Sequence, residues 1–218
     1  MHLIALHPDK QERAASEARF ALGRGVGTRY YTKNMISRMP YLDAVVKESM
    51  RLYPVAPFVV RRLTSKISLP GDSGRRHNAI TLPASTFACV WIYALHRRPD
   101  LWSHPDTFLP ERWIDPALRD RGRDEPGAYL PFALGPRHCL GRPLATTALR
   151  VLLARILGRY VVVDPRLEAL QNAPGEEERG EAFNPDTWLR KDMQAGFTVL
   201  PAGGLELRLV KRSAMPQP

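Results

Sequence analysis

The chain is poor in cysteine and lysine and has no long apolar run, and each shortage excludes something. Its two cysteines, Cys89 and Cys139, are too few for a disulfide framework and too far apart for a paired-cysteine zinc site. That usage suits a reducing, intracellular context. The longest uninterrupted apolar run, which ends at Leu95, falls well short of the roughly 20 residues needed to span a bilayer. The opening MHLIALHPDK has no basic segment and only four apolar residues in a row, so no signal peptide is expected. Strands and helices do not alternate, which argues against a doubly wound parallel sheet.

What remains is a globular composition: 218 residues, 44% hydrophobic and 25% charged, enough for a core of useful size. The net charge is +10, and lysine supplies only six of the 32 basic residues. Such a balance is compatible with a nucleic-acid binder, with docking of an acidic partner, or with a solvated surface whose arginines are paired internally. The arginines come as scattered pairs (Arg61 and Arg62, Arg75 and Arg76, Arg97 and Arg98) with no lysine-rich tract. This favours the surface reading, and no nucleic-acid partner is expected.

Residues 9–22 place Ala14, Ala15, Ala18, Ala21 and Leu22 at helical spacing, with Gly23, Gly25 and Gly27 to end the helix. A second helix is predicted over Pro40–Leu52, where Pro40 suits a first helical position and Leu42, Val45, Val46 and Met50 form an apolar face. Short strands are predicted at 58–60, 80–82 and 87–91, followed by an irregular but ordered connector over 97–131. A long helix is expected from 142 to 160, with Leu144, Ala148, Leu149, Leu152 and Ile156 on one face. Residues 173–181, APGEEERGE, read as a solvated acidic loop. The terminal GFTVLPAGGLELRLV reads as a hairpin turning at Gly203 and Gly204.

The sharpest chemical signal is PFALGPRHCLGRPLA, residues 131–145. A single cysteine lies in a loop bracketed by Gly135 and Gly141 that runs straight into a helix, whose N-terminus favours a thiolate. The glycines permit a tight turn and the close approach of a flat ligand. Arg137 can neutralise an anionic ligand group, and Phe132 can pack under a ligand plane. One thiolate cannot hold a bare zinc ion, and the adjacent His138 is expected to point away from it. The residues therefore leave two readings: a buried structural cysteine, or the axial ligand of a cofactor that brings its own equatorial donors, which is haem.

The stretch Phe132-x-x-Gly135-x-Arg137-x-Cys139-x-Gly141 resembles the haem-binding loop of the cytochrome P450 family. Two further features resemble that family in the same order. KESMRLYPVAP carries Glu48-x-x-Arg51, like the charged pair on the family's K helix, and PERW, Pro110–Trp113, resembles the segment that supplies a second arginine, here Arg112. FVVRRLT, residues 58–64, resembles the strand that offers an arginine to a haem propionate, with Arg61 the better match and Arg62 the runner-up. In ALHRRP, residues 94–99, His96 is read as structural or as a hydrogen-bond donor behind the site, not as an iron ligand.

The resemblance implies a mainly α fold with small antiparallel β-sheets, corresponding to the C-terminal portion of the cytochrome P450 fold. Residues 1–218 are expected to form that part of a single haem-thiolate monooxygenase domain, truncated at the N-terminus. The implied cofactor is haem b, with Cys139 as the iron ligand and Phe132, Gly135, Arg137, Gly141 and Arg61 around it. The implied activity inserts one atom of molecular oxygen into a small organic substrate, with electrons from a reductase. The family's distal helix, a further propionate-binding helix, most of the substrate pocket and any endoplasmic-reticulum anchor are expected to lie upstream of residue 1. An alternative is a non-catalytic haem-binding remnant or interaction module. The segment 137–150 contains Arg137, Arg142 and Arg150 and no acidic residue, so that face is expected to attract an acidic electron donor.

Overall fold

A computed structural model describes residues 1–23, 31–71, 78–166, 193–195, 199–201 and 206–212. The acidic stretch 173–181, the pair Arg75 and Arg76, and Gly25, Gly27, Gly203 and Gly204 lie outside the described residues.

Three helices build the centre. The helix α1, His2–Ala5, leads into α2, Pro8–Leu22, whose buried face is mostly alanine: Ala14, Ala15, Ala18 and Ala21. Side chains this small let α2 approach its neighbours closely. After the short α3, Lys33–Ser37, comes α4, Pro40–Leu52, with the bounds the sequence predicts. It buries Leu42, Val45 and Leu52 against α2 and the late helix α7, Arg142–Leu157. On another face Ala44 joins Trp102, Trp113 and Ala128 in a separate aromatic cluster. The connector over 97–131, with the preceding turn of helix, is ordered, as expected. It carries α5, Ile92–Leu95, two 3₁₀ turns, Pro110–Trp113 and Pro116–Leu118, and α6, Arg121–Asp124.

The β structure consists, among the described residues, of four two-stranded antiparallel ladders. The strand β1, Val59–Arg62, pairs with β4, Phe87–Val90, setting Arg61 opposite Ala88. The strand β2, Ile67–Leu69, was not anticipated; it pairs with β3, Ile80–Leu82. The last helix stops at Leu157, capped at Gly158, and Tyr160 begins β5, Tyr160–Val163, instead of ending the helix. Three consecutive valines favour a pleated strand over a further helical turn.

The terminal hairpin is not formed as predicted. The strand β7, Val199–Pro201, turns back onto β6, Met193–Ala195, while β8, Arg208–Lys211, pairs with β5. A Gly-Gly step signals a turn, but it cannot say which distant strand offers a free edge. Buried Gln11 ties this ladder to α2: its amide nitrogen donates to the Val162 carbonyl at 2.9 Å and its oxygen accepts from the Val162 N–H at 2.7 Å. No helix among the described residues is long and apolar enough to cross a membrane.

The apolar face of α7 is the clearest departure from expectation. Leu144 is 76% exposed and Leu152 56%, and the preceding Leu140 is 89% exposed. Ile156 of that face does pack against the core, and Ala154 and Leu157 anchor the helix beside it. A face this apolar and uncovered is the mark of a contact surface.

Candidate functional site

Residues 131–141 form a compact loop ahead of α7. Two residues take left-handed backbone, Ala133 with φ 59° and Gly135 with φ 79°; the second is where a side chain would be strained. The turn Gly135–Arg137 follows, and the loop is closed by the Cys139 N–H donating to the Phe132 carbonyl at 2.9 Å. His138 is held within its own loop, its Nδ1 donating to the Gly135 carbonyl at 2.8 Å, so its ring does not join Cys139. Gly141 has ordinary helical backbone, φ −75°. A Cβ there would sit 3.7 Å from the Cys139 sulfur, so glycine leaves that flank of the sulfur bare.

Cys139 is exposed. Its sulfur is not packed into a core formed by the described residues. No group of three or more metal-ligating side chains occurs among the described residues, so the loop offers a lone sulfur ligand.

Arg61, Arg62 and Arg137 line one cleft of about 570 Å³. Strand β1 and the cysteine loop thereby face the same cleft. Arg61 and Arg62 are adjacent on the strand, and both reach the cleft, so the structure does not choose between them. Arg61 donates to the Val60 carbonyl at 2.9 Å and Arg62 to Ser85 Oγ at 3.2 Å. Among the described residues the lining holds three guanidinium groups and no carboxylate, a charge arrangement that favours an anion. Phe132 is half-buried at the base of the loop.

The charged pair on α4 is wholly buried rather than partly so. Glu48, Arg51 and Arg112 have no exposed surface. Arg51 grips Glu48 with both Nε and Nη2, at 3.0 and 2.8 Å. Arg112 Nε reaches the same carboxylate at 3.1 Å, Trp113 Nε1 at 2.9 Å and the Leu109 N–H at 3.1 Å. The remaining donors of Arg51 go to the carbonyls of His96, Pro105 and Thr107, at 2.8, 2.6 and 3.2 Å. The connector is thus held by Arg51 at His96, Pro105 and Thr107 and by Arg112 at His104.

Asp120, which the sequence did not single out, completes the cluster. Its carboxylate pairs with Arg112 Nη1 and accepts the Ser103 N–H at 2.7 Å. Two buried carboxylates now face two buried guanidiniums, so the charge balances where desolvation makes imbalance costly. Burial pushes the Asp120 carboxyl upward, but the Ser103 hydrogen bonds and the Arg112 charge outweigh it and hold it below the usual aspartate range. Trp113 lay within the PERW segment and could have been read from it. Asp120 sits in the aperiodic connector, where no pattern marks a partner.

His96 is buried and lies between the cluster and the cysteine loop. Its Nε2 accepts the Leu130 N–H at 2.8 Å, so the proton is on Nδ1, which faces the Arg51 carbonyl at 3.2 Å. Its ring stacks on Tyr129, with centroids 5.2 Å apart. Burial first, then the neighbouring Arg51 and Arg97 charges, lowers its pKa to about 4. The imidazole is neutral at pH 7 and both nitrogens are engaged.

The cationic face expected of 137–150 is weaker than its sequence suggests. Arg150 forms an ion pair with Asp43 on α4, and Lys47 pairs with the same carboxylate at 2.8 Å. Arg142 remains exposed.

A family model for cytochrome P450 matches residues 1–189. Among curated proteins the chain is similar to cytochrome P450 3A13 of Mus musculus, 33% identical over 162 residues, covering 74% of this chain and 29% of the mouse protein. It is similar also to cytochrome P450 4A6 of Oryctolagus cuniculus, 34% identical over 166 residues, covering 76% of this chain and 30% of the rabbit protein. Thromboxane-A synthase of Mus musculus is 29% identical over 211 residues, 97% of this chain and 34% of that enzyme. The chain belongs to the cytochrome P450 family. It spans about a third of the length of these relatives.

Proposed function

We propose that the chain is the cysteine-ligand portion of a single haem-thiolate monooxygenase domain, with haem b held by Cys139. The observation that carries this is the exposed sulfur at the end of a glycine-bearing loop, its flank left open by Gly141. The arginine-lined cleft supports it, because haem presents two carboxylates that need cationic partners. Arg137 and Arg61, with Arg62 beside them, would take the propionates. Phe132 would pack under the ring, and Gly135 would hold the loop's shape.

Bound there, haem supplies the oxygen chemistry, with the thiolate donating electron density to the iron. The chain's own residues position and neutralise. The loop bond from the Cys139 N–H to Phe132 orients the sulfur. The buried cluster keeps the connector, and through it the loop, in one arrangement. Electrons would come from a reductase docking near Arg142, and the substrate would be a small organic molecule.

The test is to add haem to the purified chain and record the reduced carbonyl spectrum. Wild-type and Cys89→Ala chains should give the strongly red-shifted thiolate band, and Cys139→Ala should lose it. A Cys139→Ala chain that keeps the band would overturn the assignment.

A further inference from the structure

His96 and Arg51 hold each other in two ways. The Arg51 guanidinium donates to the His96 carbonyl at 2.8 Å, and the His96 ring faces the Arg51 carbonyl at 3.2 Å. The other ring nitrogen accepts the N–H of Leu130 at 2.8 Å. Leu130 directly precedes Pro131, which has no N–H, and Phe132, whose carbonyl closes the loop onto the Cys139 N–H. The imidazole therefore spans from the end of α4 to the last free amide before the cysteine loop. Tyr129 fixes the ring plane by stacking, and its hydroxyl donates to the Lys47 carbonyl at 3.0 Å, a second tie from this segment to α4.

We infer that His96 is a positioning residue for the Cys139 loop, acting as a two-ended strut that carries the order of the buried Glu48–Arg51 cluster to the Leu130 amide and so to the sulfur. A neutral ring with its proton on Nδ1 is needed, because Leu130 requires an acceptor and Arg51 O requires a donor. A general space-filling role would need neither atom. The consequence for iron ligation rests on the reading of Cys139 as the ligand; the strut itself does not.

Two substitutions separate the ends. His96→Gln keeps an acceptor where Nε2 stands and loses the donor toward Arg51. His96→Asn keeps the donor and loses the acceptor for Leu130. Both remove one buried hydrogen bond, so a merely structural histidine predicts equal effects. The measurement is amide hydrogen exchange of the 218-residue chain without haem, followed at Leu130 and Cys139 and within α4. For His96→Asn the expected result is exchange about tenfold faster at Leu130 and Cys139, with the interior of α4 changed by less than about twofold. For His96→Gln the loop amides should stay within about threefold of wild type. Equal acceleration in both variants, or acceleration in neither, overturns the proposal. If His96→Asn does not fold, His96→Gln decides: a protected loop supports the strut and a loosened loop refutes it. A wild-type chain that takes up no haem would count against the cofactor reading while leaving the exchange result intact.

Discussion

Arg112 lies between two acids. On one side it shares Glu48 with Arg51, and on the other it pairs with Asp120, which lies further along the connector. The bond to Asp120 fastens the chain after the Pro110–Trp113 turn, and because Asp120 also accepts the Ser103 N–H it ties the stretches on either side of that turn together.

Asp120→Ala should therefore destabilise the chain by about 3 kcal/mol, because it leaves part of a buried guanidinium uncompensated. The carboxyl's folded pKa lies below its unfolded value. Its contribution is present above the unfolded pKa and lost as pH falls through the lower folded one. Urea midpoints at pH 7 and at acid pH should converge for wild type and variant on the acid side. A wild-type midpoint at pH 7 would show the pair to be dispensable.

His96 acts in a different pH window. Its folded pKa of about 4 is below the ordinary histidine value of 6.5, so the unfolded chain binds more protons between those values. Stability contributed by the neutral ring is full above about pH 6.5 and falls as pH drops toward 4, by a total on the order of 3 kcal/mol. His96→Gln should flatten the stability profile in that window and leave the more acidic Asp120 step in place. A profile between pH 4 and 6.5 with the same slope in both proteins would refute this.

Gly122 leaves room for Trp102. A Cβ at Gly122 would lie 2.5 Å from Trp102 Cε2, and Trp102 is wholly buried with the Arg51 guanidinium 5.3 Å from its ring. Gly122→Ala should cost about 1–3 kcal/mol through overpacking and alter the near-ultraviolet circular dichroism of Trp102. An unchanged melting temperature and spectrum would mean that the Arg121–Asp124 segment yields instead.

The arginine cleft can be tested by haem retention. Arg61→Ala, Arg62→Ala and Arg137→Ala should each weaken it, with Arg137→Ala and Arg61→Ala reaching about tenfold. Retention by wild type should fall as salt rises, because all three guanidiniums are solvent-exposed. Three variants that bind haem like wild type in low salt would place the propionates elsewhere.

Local pattern accounts for the parts that were legible in advance. Alanines at helical spacing, a proline at a first helical position and valine-rich runs act over a few residues. They mark α2, α4 and β1 with boundaries close to those observed. The cysteine loop was readable for the same reason: glycine, arginine and cysteine at short fixed spacing state a chemistry without needing a fold. The terminal hairpin failed because a turn signal carries no information about which distant edge is free, and β8 pairs with the far earlier β5, Val163 facing Arg208 and Tyr160 facing Lys211.

The sequence by itself determined the family, the single cysteine between Gly135 and Gly141 and the Glu48–Arg51 pair. Those depend on residue identity and near-neighbour spacing. Only the tertiary structure decided that the pair is fully buried, that Asp120 balances it, that His96 reaches Leu130, and that Arg61, Arg62 and Arg137 share one cleft. Each of these joins residues far apart in the chain. A buried charge or polar group takes whatever partner the packed chain brings within about 3 Å, and its need for one is physical rather than sequential. Arg150 shows the same rule in reverse: its sequence neighbours offer it no acid, and the fold supplies Asp43 from another helix.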